Sequence, residues 1–247
     1  MKKISILLIP FLSISLLLTN SCESWRNCYE GNGVITNEVR GLTGFSGVIC
    51  SGDIDVHITQ DTIYSVVVRT DENLQPVIKT NVRGENLYIE VSRNKCLRSG
   101  TIPTVFVSLP VLFEAEMDGS GKIYSSNTIS SSYLELNITG SGDMDMDLQI
   151  EDLWANIDGS GDIQLYGNVD DANFSINGSG DIMACDCTIN ECIITIEGSG
   201  DVYVYVLSFL DIAIFGSGDV YYDGIPYPNR PPRIEGSGNV YSGDCRF

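Results

Sequence analysis

The sequence has few basic residues, and they are unevenly placed. Fourteen Lys and Arg stand against 33 Asp and Glu, which gives a formal net charge of −19. Between Ile123 and Asn229 there are 18 acidic residues and no Lys or Arg. Proteins that bind phosphate groups need clusters of Lys and Arg that release counterions. The composition therefore excludes a nucleic-acid partner and argues against a protein that binds an anionic membrane surface.

Histidine and helical patterning are also scarce. The single His, His57, excludes His-rich zinc sites and restricts any His-dependent triad to that residue. No stretch keeps apolar residues at the helical spacing of three and four, and Gly and β-branched residues are dense throughout. With 43% hydrophobic residues and a mean hydropathy of +0.07, the chain can still bury a sizeable core. These observations predict an all-β protein.

The one long apolar run lies at the N-terminus. Ile4–Leu18 spans 15 residues, whereas a stable membrane span needs about 20. The run and its two preceding Lys predict a signal peptide over 1–21. Its end resembles a bacterial lipoprotein signal that leaves Cys22 as the lipidated first residue; an ordinary cleaved signal is the alternative. We expect an exported lipoprotein anchored in the outer membrane, on its periplasmic or surface side, with a tether over 22–32.

Export places the other cysteines in an oxidising compartment. Seven of the eight Cys follow Cys22, and because seven is odd, at least one thiol stays free or pairs between molecules. A disulfide is predicted across the Cys187–Cys192 turn. A metal site that includes Cys185 is less favoured, because no nearby His or CxxC pair completes four ligands.

Internal repetition is the strongest signal in the chain. The tripeptide Gly-Ser-Gly occurs seven times, at spacings of 21, 19, 19, 20, 18 and 20 residues. Apolar residues alternate with polar ones on both sides of each copy, which is typical of strands with one buried face. Ile49–Val56 resembles a degenerate earlier copy with Cys50 in place of the first Gly. The copies begin at Gly119, Gly140, Gly159, Gly178, Gly198, Gly216 and Gly236.

The repeat predicts a parallel β-solenoid, or β-helix. A unit of about 20 residues, with two strands joined by a loop, cannot bury its apolar side alone and must stack on its neighbours. An ordinary β-sandwich is the alternative, although its strands need not keep constant offsets over seven copies. We expect one domain over 33–247, with irregular first coils and a cap over 33–112 and regular Gly-Ser-Gly-Asp coils over 113–247.

The first part of the domain carries markers outside the repeat. They are Gly31-Asn32-Gly33, Gly44-Phe45, Asp53–Gln60, Tyr64-Ser65-Val66, Asp71–Leu74 and Leu87-Tyr88-Ile89. Together with the repeats, they resemble the domain described as "putative auto-transporter adhesin, head GIN domain". The resemblance covers about residues 31–242 and implies a right-handed parallel β-helix on secreted or lipid-anchored proteins of Bacteroidota. The resemblance supplies neither an activity nor catalytic residues.

An Asp follows Gly-Ser-Gly in five of the copies. Stacked coils place equivalent residues about 4.8 Å apart, so the five carboxylates form a column of like charges that needs an offset. Calcium is one candidate, with Asp158 and Glu197 as second carboxylates at two turns. The favoured alternative is that turn N–H groups and Ser hydroxyls donate hydrogen bonds to each Asp; no other cofactor is expected. The column is Asp143, Asp162, Asp181, Asp201 and Asp219.

Tyrosines recur on the outer face of the last coils. Tyr203, Tyr221 and Tyr241 occupy the same position of consecutive copies, and Tyr205 lies two residues beyond the first. An exposed aromatic strip beside carboxylates is suited to a sugar ring or a protein partner. The alternative is a ladder of stacked rings that stabilises neighbouring coils.

These features predict a non-catalytic cell-envelope lipoprotein that acts as an adhesin-like binding or scaffolding module. It would present an acidic, Tyr-striped face to a glycan or a protein. A carbohydrate-active enzyme is one alternative, with Asp145 and Asp147 as the paired carboxylates. However, Asp recurs at one place in successive coils, which indicates a requirement of the turn rather than a single active site. A purely structural envelope protein is the other alternative.

Overall fold

The computed structural model describes residues 27–92, 95–226, 231–243 and 245. Within them, one 3-10 turn at Glu72–Leu74 accompanies 19 strands, and no helix is long and apolar enough to cross a membrane. The strands are β1 (Asn27–Glu30), β2 (Ile35–Arg40), β3 (Gly47–Gly52), β4 (Asp55–Gln60), β5 (Ser65–Asp71), β6 (Ile78–Arg83), β7 (Asn86–Val91), β8 (Lys95–Arg98), β9 (Thr104–Leu109), β10 (Glu114–Gly119), β11 (Lys122–Ser125), β12 (Ile129–Gly140), β13 (Asp143–Gly159), β14 (Ile163–Gly178), β15 (Ile182–Gly198), β16 (Val202–Gly216), β17 (Val220–Gly224), β18 (Arg233–Gly236) and β19 (Val240–Ser242).

From β10 onward the coils stack in parallel and in register. The first Gly of each Gly-Ser-Gly copy lies opposite the first Gly of the next, from Gly119 opposite Gly140 to Gly216 opposite Gly236. The predicted all-β solenoid of about 20-residue coils is therefore confirmed, and the sandwich alternative is wrong. Stacking follows from the alternating pattern, because each coil buries one side of its strands inside and satisfies its backbone groups on its neighbours.

The predicted loop inside each coil is wrong. β13 runs for 17 residues and β14 for 16 without a break, so each is one bent strand between two Gly turns. The corner residues stay in the ladder because they pair with their equivalents, as Ile150 does with Val169. Differences in repeat length appear as register shifts, for example between Gln164 and Gly167.

Inward-facing columns of apolar side chains fill the solenoid. Ile138, Ile157, Ile176, Ile196 and Ile214 follow one another up one wall, each no more than 2% exposed. Full burial of an Ile side chain contributes about 1.5–3 kcal/mol. Each coil therefore contributes to stability only when a neighbour covers it, which makes the stack cooperative.

The first coils and the cap use the same inner columns. β3 and β4 pair in parallel with β10 and β11, while β7 and β9 lie below them. Gly52, not Cys50, lies opposite Gly119, so the predicted degenerate copy was displaced by two residues. Below these coils, β5 pairs antiparallel with β9 and β2, and β6 pairs antiparallel with β7. These antiparallel strands cover one end of the solenoid.

The N-terminal segment joins the cap. The predicted signal peptide, 1–21, and the predicted lipidation site, Cys22, lie outside the described residues. The predicted tether, 22–32, is wrong at its end, because Asn27–Glu30 form β1 and pair in parallel with β8. Cys28 of β1 is also disulfide-bonded, and the Gly33 N–H donates to the buried Asp71 Oδ1 over 2.5 Å. Residues 27–33 are therefore fixed to the cap.

The predicted Cys187–Cys192 disulfide is wrong. Cys185 bonds to Cys245 instead, across a sequence separation of 60. The segment 187–192 continues as strand β15 rather than turning back, and alternation points Cys185 outward and Cys187 inward. Cys187, Cys192 and Cys50 are buried free thiols, in agreement with the prediction of at least one unpaired Cys. Burial raises the pKa of Cys50 and of Cys187 to about 12, so these thiols are unreactive.

The Gly turns are the most restrictive positions of the fold. Gly178 has φ +144°, and a Cβ there would lie 2.0 Å from the carbonyl oxygen of Gly159 in the preceding coil. That oxygen belongs to the backbone and cannot rotate away, so the coils would have to separate. Gly supplies both the positive φ and the close approach.

We expect Gly178→Ala to lower the free energy of unfolding by about 3 kcal/mol or more, since it adds backbone strain and a steric clash. Gly41→Ala is the matched control, because a Cβ at Gly41 would meet no atom within 4 Å and the φ there is not positive. Urea unfolding followed by circular dichroism measures both. A Gly178→Ala variant as stable as Gly41→Ala would show that the turns do not require glycine.

Candidate binding surface

The Asp column is a ladder of hydrogen bonds between coils. In each step, Oδ1 of one Asp accepts a hydrogen bond from the backbone N–H of the equivalent residue in the next coil. The N···O distances are 3.2 Å to Asp143, 2.9 Å to Asp162, and 2.7 Å each to Asp181, Asp201 and Asp219. Below the column, Asp55 accepts in the same way from the Lys122 N–H over 3.1 Å. The ladder is interrupted at Lys122, and the Asp143 N–H donates to the Gly121 carbonyl over 3.1 Å instead. The donors are N–H groups of the neighbouring turn, as the favoured alternative expected. In the described coils, none of the Ser hydroxyls that this alternative also invoked donates to the column.

Mutual repulsion remains inside this ladder. Burial raises the pKa of Asp181, the Asp201 N–H lowers it in part, and the charges of Asp162 and Asp201 raise it further. A carboxyl whose pKa is raised in the folded state stabilises the fold most when it is protonated, and this contribution is lost as pH rises through the folded pKa. In the last copy, Asn239 replaces Asp and donates its N–H and Nδ2 to Asp219 Oδ1.

We expect Asp181→Asn to leave stability at neutral pH unchanged or higher, because the amide oxygen still accepts from the Asp201 N–H and the charge is gone. Its stability should also depend less on pH across the acid range. Asp181→Ala leaves that N–H without its acceptor and should cost about 1–3 kcal/mol. Urea unfolding at acid and neutral pH compares the two variants. Equal losses in both would contradict the ladder.

Calcium binding by the column, the less favoured interpretation, is not tested by the structure. Within the described ranges, no group of three or more His, Cys, Asp or Glu side chains is arranged to hold a metal ion. Asp158 and Glu197, the predicted second ligands, are exposed. The hydrogen bonds offset part of the repulsion without a metal.

We therefore expect millimolar Ca²⁺, added after EDTA at constant ionic strength, to leave the midpoint of thermal unfolding unchanged. A saturable rise with Ca²⁺ but not with Mg²⁺ would assign the ladder to calcium instead, because a ligand that binds only the folded state stabilises it.

The Tyr strip, defined as Tyr203, Tyr221 and Tyr241, is a stack of parallel rings. The centroids of Tyr203 and Tyr221 are 4.7 Å apart at 6°, and those of Tyr221 and Tyr241 are 5.0 Å apart at 16°. The Tyr221 hydroxyl donates to Asp219 Oδ2 over 3.3 Å. Burial, followed by the charges of Asp219 and Asp201, raises the pKa of Tyr221 to about 12. Tyr205 lies outward in the adjacent column, opposite Asp223.

Stacking limits what the strip can offer to a ligand. The facing sides of the three rings cover one another, so a sugar ring has no room between them. The Tyr221 hydroxyl is held by Asp219 and the Tyr203 hydroxyl by Asp201, so the strip offers its ring edges and its end ring, Tyr241, which is 42% exposed. A ligand of the strip would therefore contact ring edges and phenolic oxygens, which can still accept hydrogen bonds, more than it would stack on ring faces.

The same outward column carries a second aromatic cluster near the cap, which sequence reasoning missed. The His57 ring lies 4.8 Å from Phe106 and 3.7 Å from Tyr124, and its Nε2 forms a hydrogen bond with the Tyr124 hydroxyl. Burial lowers the pKa of His57, and Asp55 opposes this shift. Counting from Gly52 instead of Cys50 would have placed His57 in the Tyr column.

A second outward face, formed by the segments that precede each Gly turn, holds a groove of about 300 Å³. Asp152, Asp171 and Glu191 lie opposite one another on successive coils. Trp154 and Ile193 border them, 46% and 44% exposed. The sequence analysis did not identify this face because it considered only the inward positions of these segments. The outward positions are those an odd number of residues before the first Gly of each turn.

A polar groove of about 310 Å³ lies on the same face, closer to the Gly turns. Asn156 Nδ2 donates to Asn137 Oδ1, and Asn137 Nδ2 donates to Glu135 Oε1, each over 2.9 Å. Burial raises the pKa of Glu116 on its floor, with further contributions from Glu114 and other neighbouring carboxylates. The Asn side chains here are hydrogen-bonded to one another and to Glu135, so these amide groups already have partners without a ligand.

The predicted catalytic alternative finds no support in the positions of its carboxylates. Asp145 Oδ2 lies 3.6 Å from Lys122 Nζ. Asp147 Oδ2 accepts from the Thr128 hydroxyl over 2.8 Å. Each carboxylate is thus engaged with a different neighbouring side chain, and neither is set aside as a free acid or base.

The stacked repeats and the capped first coils match one family model. Residues 44–226 fit the model described as "Putative auto-transporter adhesin, head GIN domain". The chain belongs to this family. No functionally curated protein matches the sequence.

Solved structures share the fold over nearly their whole length. A "putative adhesin" from Bacteroides fragilis has a TM-score of 0.81 at 21% identity and covers 87% of this chain and 99% of its own. A "putative lipid binding protein" from Parabacteroides distasonis has a TM-score of 0.73 at 27% identity, with the same coverage. A "putative adhesin" from the same species has a TM-score of 0.69 at 25% identity, over 87% of this chain and all of its own. These relatives have the same solenoid architecture.

Proposed function

We propose that this protein is a non-catalytic, adhesin-like binding module of the cell envelope that engages a surface glycan or protein. Its family and its structural relatives are described as adhesins or as a lipid-binding protein, which supports a binding role at the envelope. One observation carries the proposal: the outer surface of the coils from Ile123 to Pro226, called the acidic wall, has 18 acidic residues and no Lys or Arg, and aromatic side chains are exposed on it.

The architecture suits recognition. Continuous ladders fix every coil to its neighbours, so the spacing of the outward positions is set before any ligand arrives. Preorganisation of this kind reduces the entropy that binding loses. A carbohydrate-active enzyme is not favoured, because Asp145 and Asp147 are each held by separate partners.

The direction of the chain supports a membrane-distal binding end. Cys22, the predicted lipidated residue, precedes β1 by five positions, and β1 is fixed to β8 beside the cap. The coils then lead away from the cap, and the Tyr strip lies on the last of them. A lipid at Cys22 would thus hold the cap near the membrane and direct the Tyr strip away from it.

We expect the triple change Tyr203→Ser, Tyr221→Ser and Tyr241→Ser to abolish binding of the purified chain to a glycan array and to intact bacterial cells. Loss of two stacked pairs should lower stability by about 1–3 kcal/mol, and circular dichroism checks that the fold survives.

The triple change of the same residues to Phe is the matched control. It keeps the stack and its ring edges and removes only the hydroxyls, so we expect it to bind more tightly than the Ser variant. Undiminished binding by the folded Ser variant would remove the strip from the proposed function.

A further inference from the structure

The Trp154 groove differs from the rest of the outer surface in its charge balance. Its outward lining residues are Asp152, Trp154, Asp171, Asn173, Glu191, Ile193 and Phe209. Its three carboxylates lie opposite one another in register, at the coil spacing of about 4.8 Å. Across the described part of the chain, none of the three has a hydrogen bond or an ion pair. Like charges held opposite one another destabilise a sheet. Here, unlike in the Asp column, no backbone N–H offsets them.

Beside the carboxylates, Trp154 and Ile193 lie on either side of Asn173 in the next row of the groove. Trp154 and Ile193 are 46% and 44% exposed, and no other ring of the described chain packs on the Trp154 indole. Exposed apolar side chains that border a polar row are typical of an interaction site. The groove of about 300 Å³ between them is open to a side chain.

Charge decides what fits there. A neutral sugar ring stacked on Trp154 would donate hydroxyl hydrogen bonds to the carboxylates, but it would leave their three like charges opposite one another without neutralising them. A guanidinium group can lie flat on an indole and donate to carboxylates through a fork of N–H groups. The groove therefore favours a cationic ligand with a planar head.

We propose that the Trp154 groove docks an extended, arginine-containing segment of a protein partner. The proposal rests on the proposed function and names the partner class for one face of the wall. The row from Asp152 to Glu191 spans about 10 Å, while side chains on one side of an extended strand repeat every ~6.6–6.8 Å. Two Arg at positions i and i+2 of such a segment therefore reach all three carboxylates. The net charge of −19 steers the segment toward the wall.

The first experiment uses the intrinsic fluorescence of Trp154. The chain has two Trp, so Trp25→Phe in the mature protein leaves Trp154 as the reporter. The probe is a synthetic peptide of alternating Arg and Ser, and the control peptide has Gln in place of Arg. We expect the Arg peptide alone to change Trp154 emission in a saturable way, with an affinity that falls as ionic strength rises. No saturable change with the Arg peptide would overturn the proposal.

A pair of charge-matched variants tests the location. Asp152→Asn, Asp171→Asn and Glu191→Gln together should weaken binding of the Arg peptide by about tenfold or more. The control triple, Asp158→Asn, Asp186→Asn and Glu197→Gln, removes the same charge from exposed positions elsewhere and should weaken it by less than about threefold. Equal losses would show a general attraction to the acidic wall and overturn the proposal.

Two further results separate this inference from the proposed function. If a neutral oligosaccharide quenches Trp154 and the Asp152, Asp171 and Glu191 triple leaves that quenching intact, the groove is a glycan site and the inference fails while the binding function stands. If the chain binds cells or glycans but not the Arg peptide, the inference again fails alone. If the unaltered chain binds neither cells, nor glycans, nor the Arg peptide, the proposed function fails as well.

Discussion

Close contact between stacked Gly turns is the constraint on which the rest of the structure depends. A Cβ on Gly178 would lie 2.0 Å from the carbonyl oxygen of Gly159, so each turn fits on the one beneath it only as glycine. Because this contact recurs in every coil, it fixes the register of the whole stack. A shift of one residue would move every apolar side chain to the outside. The inner columns of Ile and the outer columns of Asp and Tyr are therefore consequences of the same contact.

A fixed register has an electrostatic consequence, because it repeats each outward charge at the coil spacing of about 4.8 Å. The two rows of carboxylates on the outer surface differ in how this repulsion is offset. In the Asp column, every Oδ1 accepts an N–H from the next coil, and the carboxylates become part of the backbone ladder. In the Trp154 groove, Asp152 and Asp171 face each other without such donors. The carboxylates of the Asp column are thus stabilised within the fold. Those of the Trp154 groove are not, so a cationic partner can neutralise them.

Most of the fold could be predicted from the sequence, because the Gly-Ser-Gly repeat and the alternating apolar residues are local signals that recur in every coil. The sequence predicted the Asp and Tyr columns for the same reason. It did not predict the Cys185–Cys245 bond, since residues in different coils carry no local mark of their proximity. His57 was not assigned to the Tyr column because the predicted early copy was counted from Cys50, two residues before the true turn glycine, Gly52. Trp154 was missed because it lies at an outward position, where no repeated residue type draws attention to it.

The two ends of the solenoid are protected by different means. At the cap, antiparallel β5 and β6 cover the first coils. At the other end, β18 pairs with β16 and β19 pairs with β17, and the described chain provides no further strand above them. Open strand edges fray and invite pairing with other chains. The disulfide from Cys245 back to Cys185 crosses the last coils and restrains them, as an oxidising compartment permits. A covalent restraint keeps the Tyr strip rigid at the end that a lipid at Cys22 would leave farthest from the membrane.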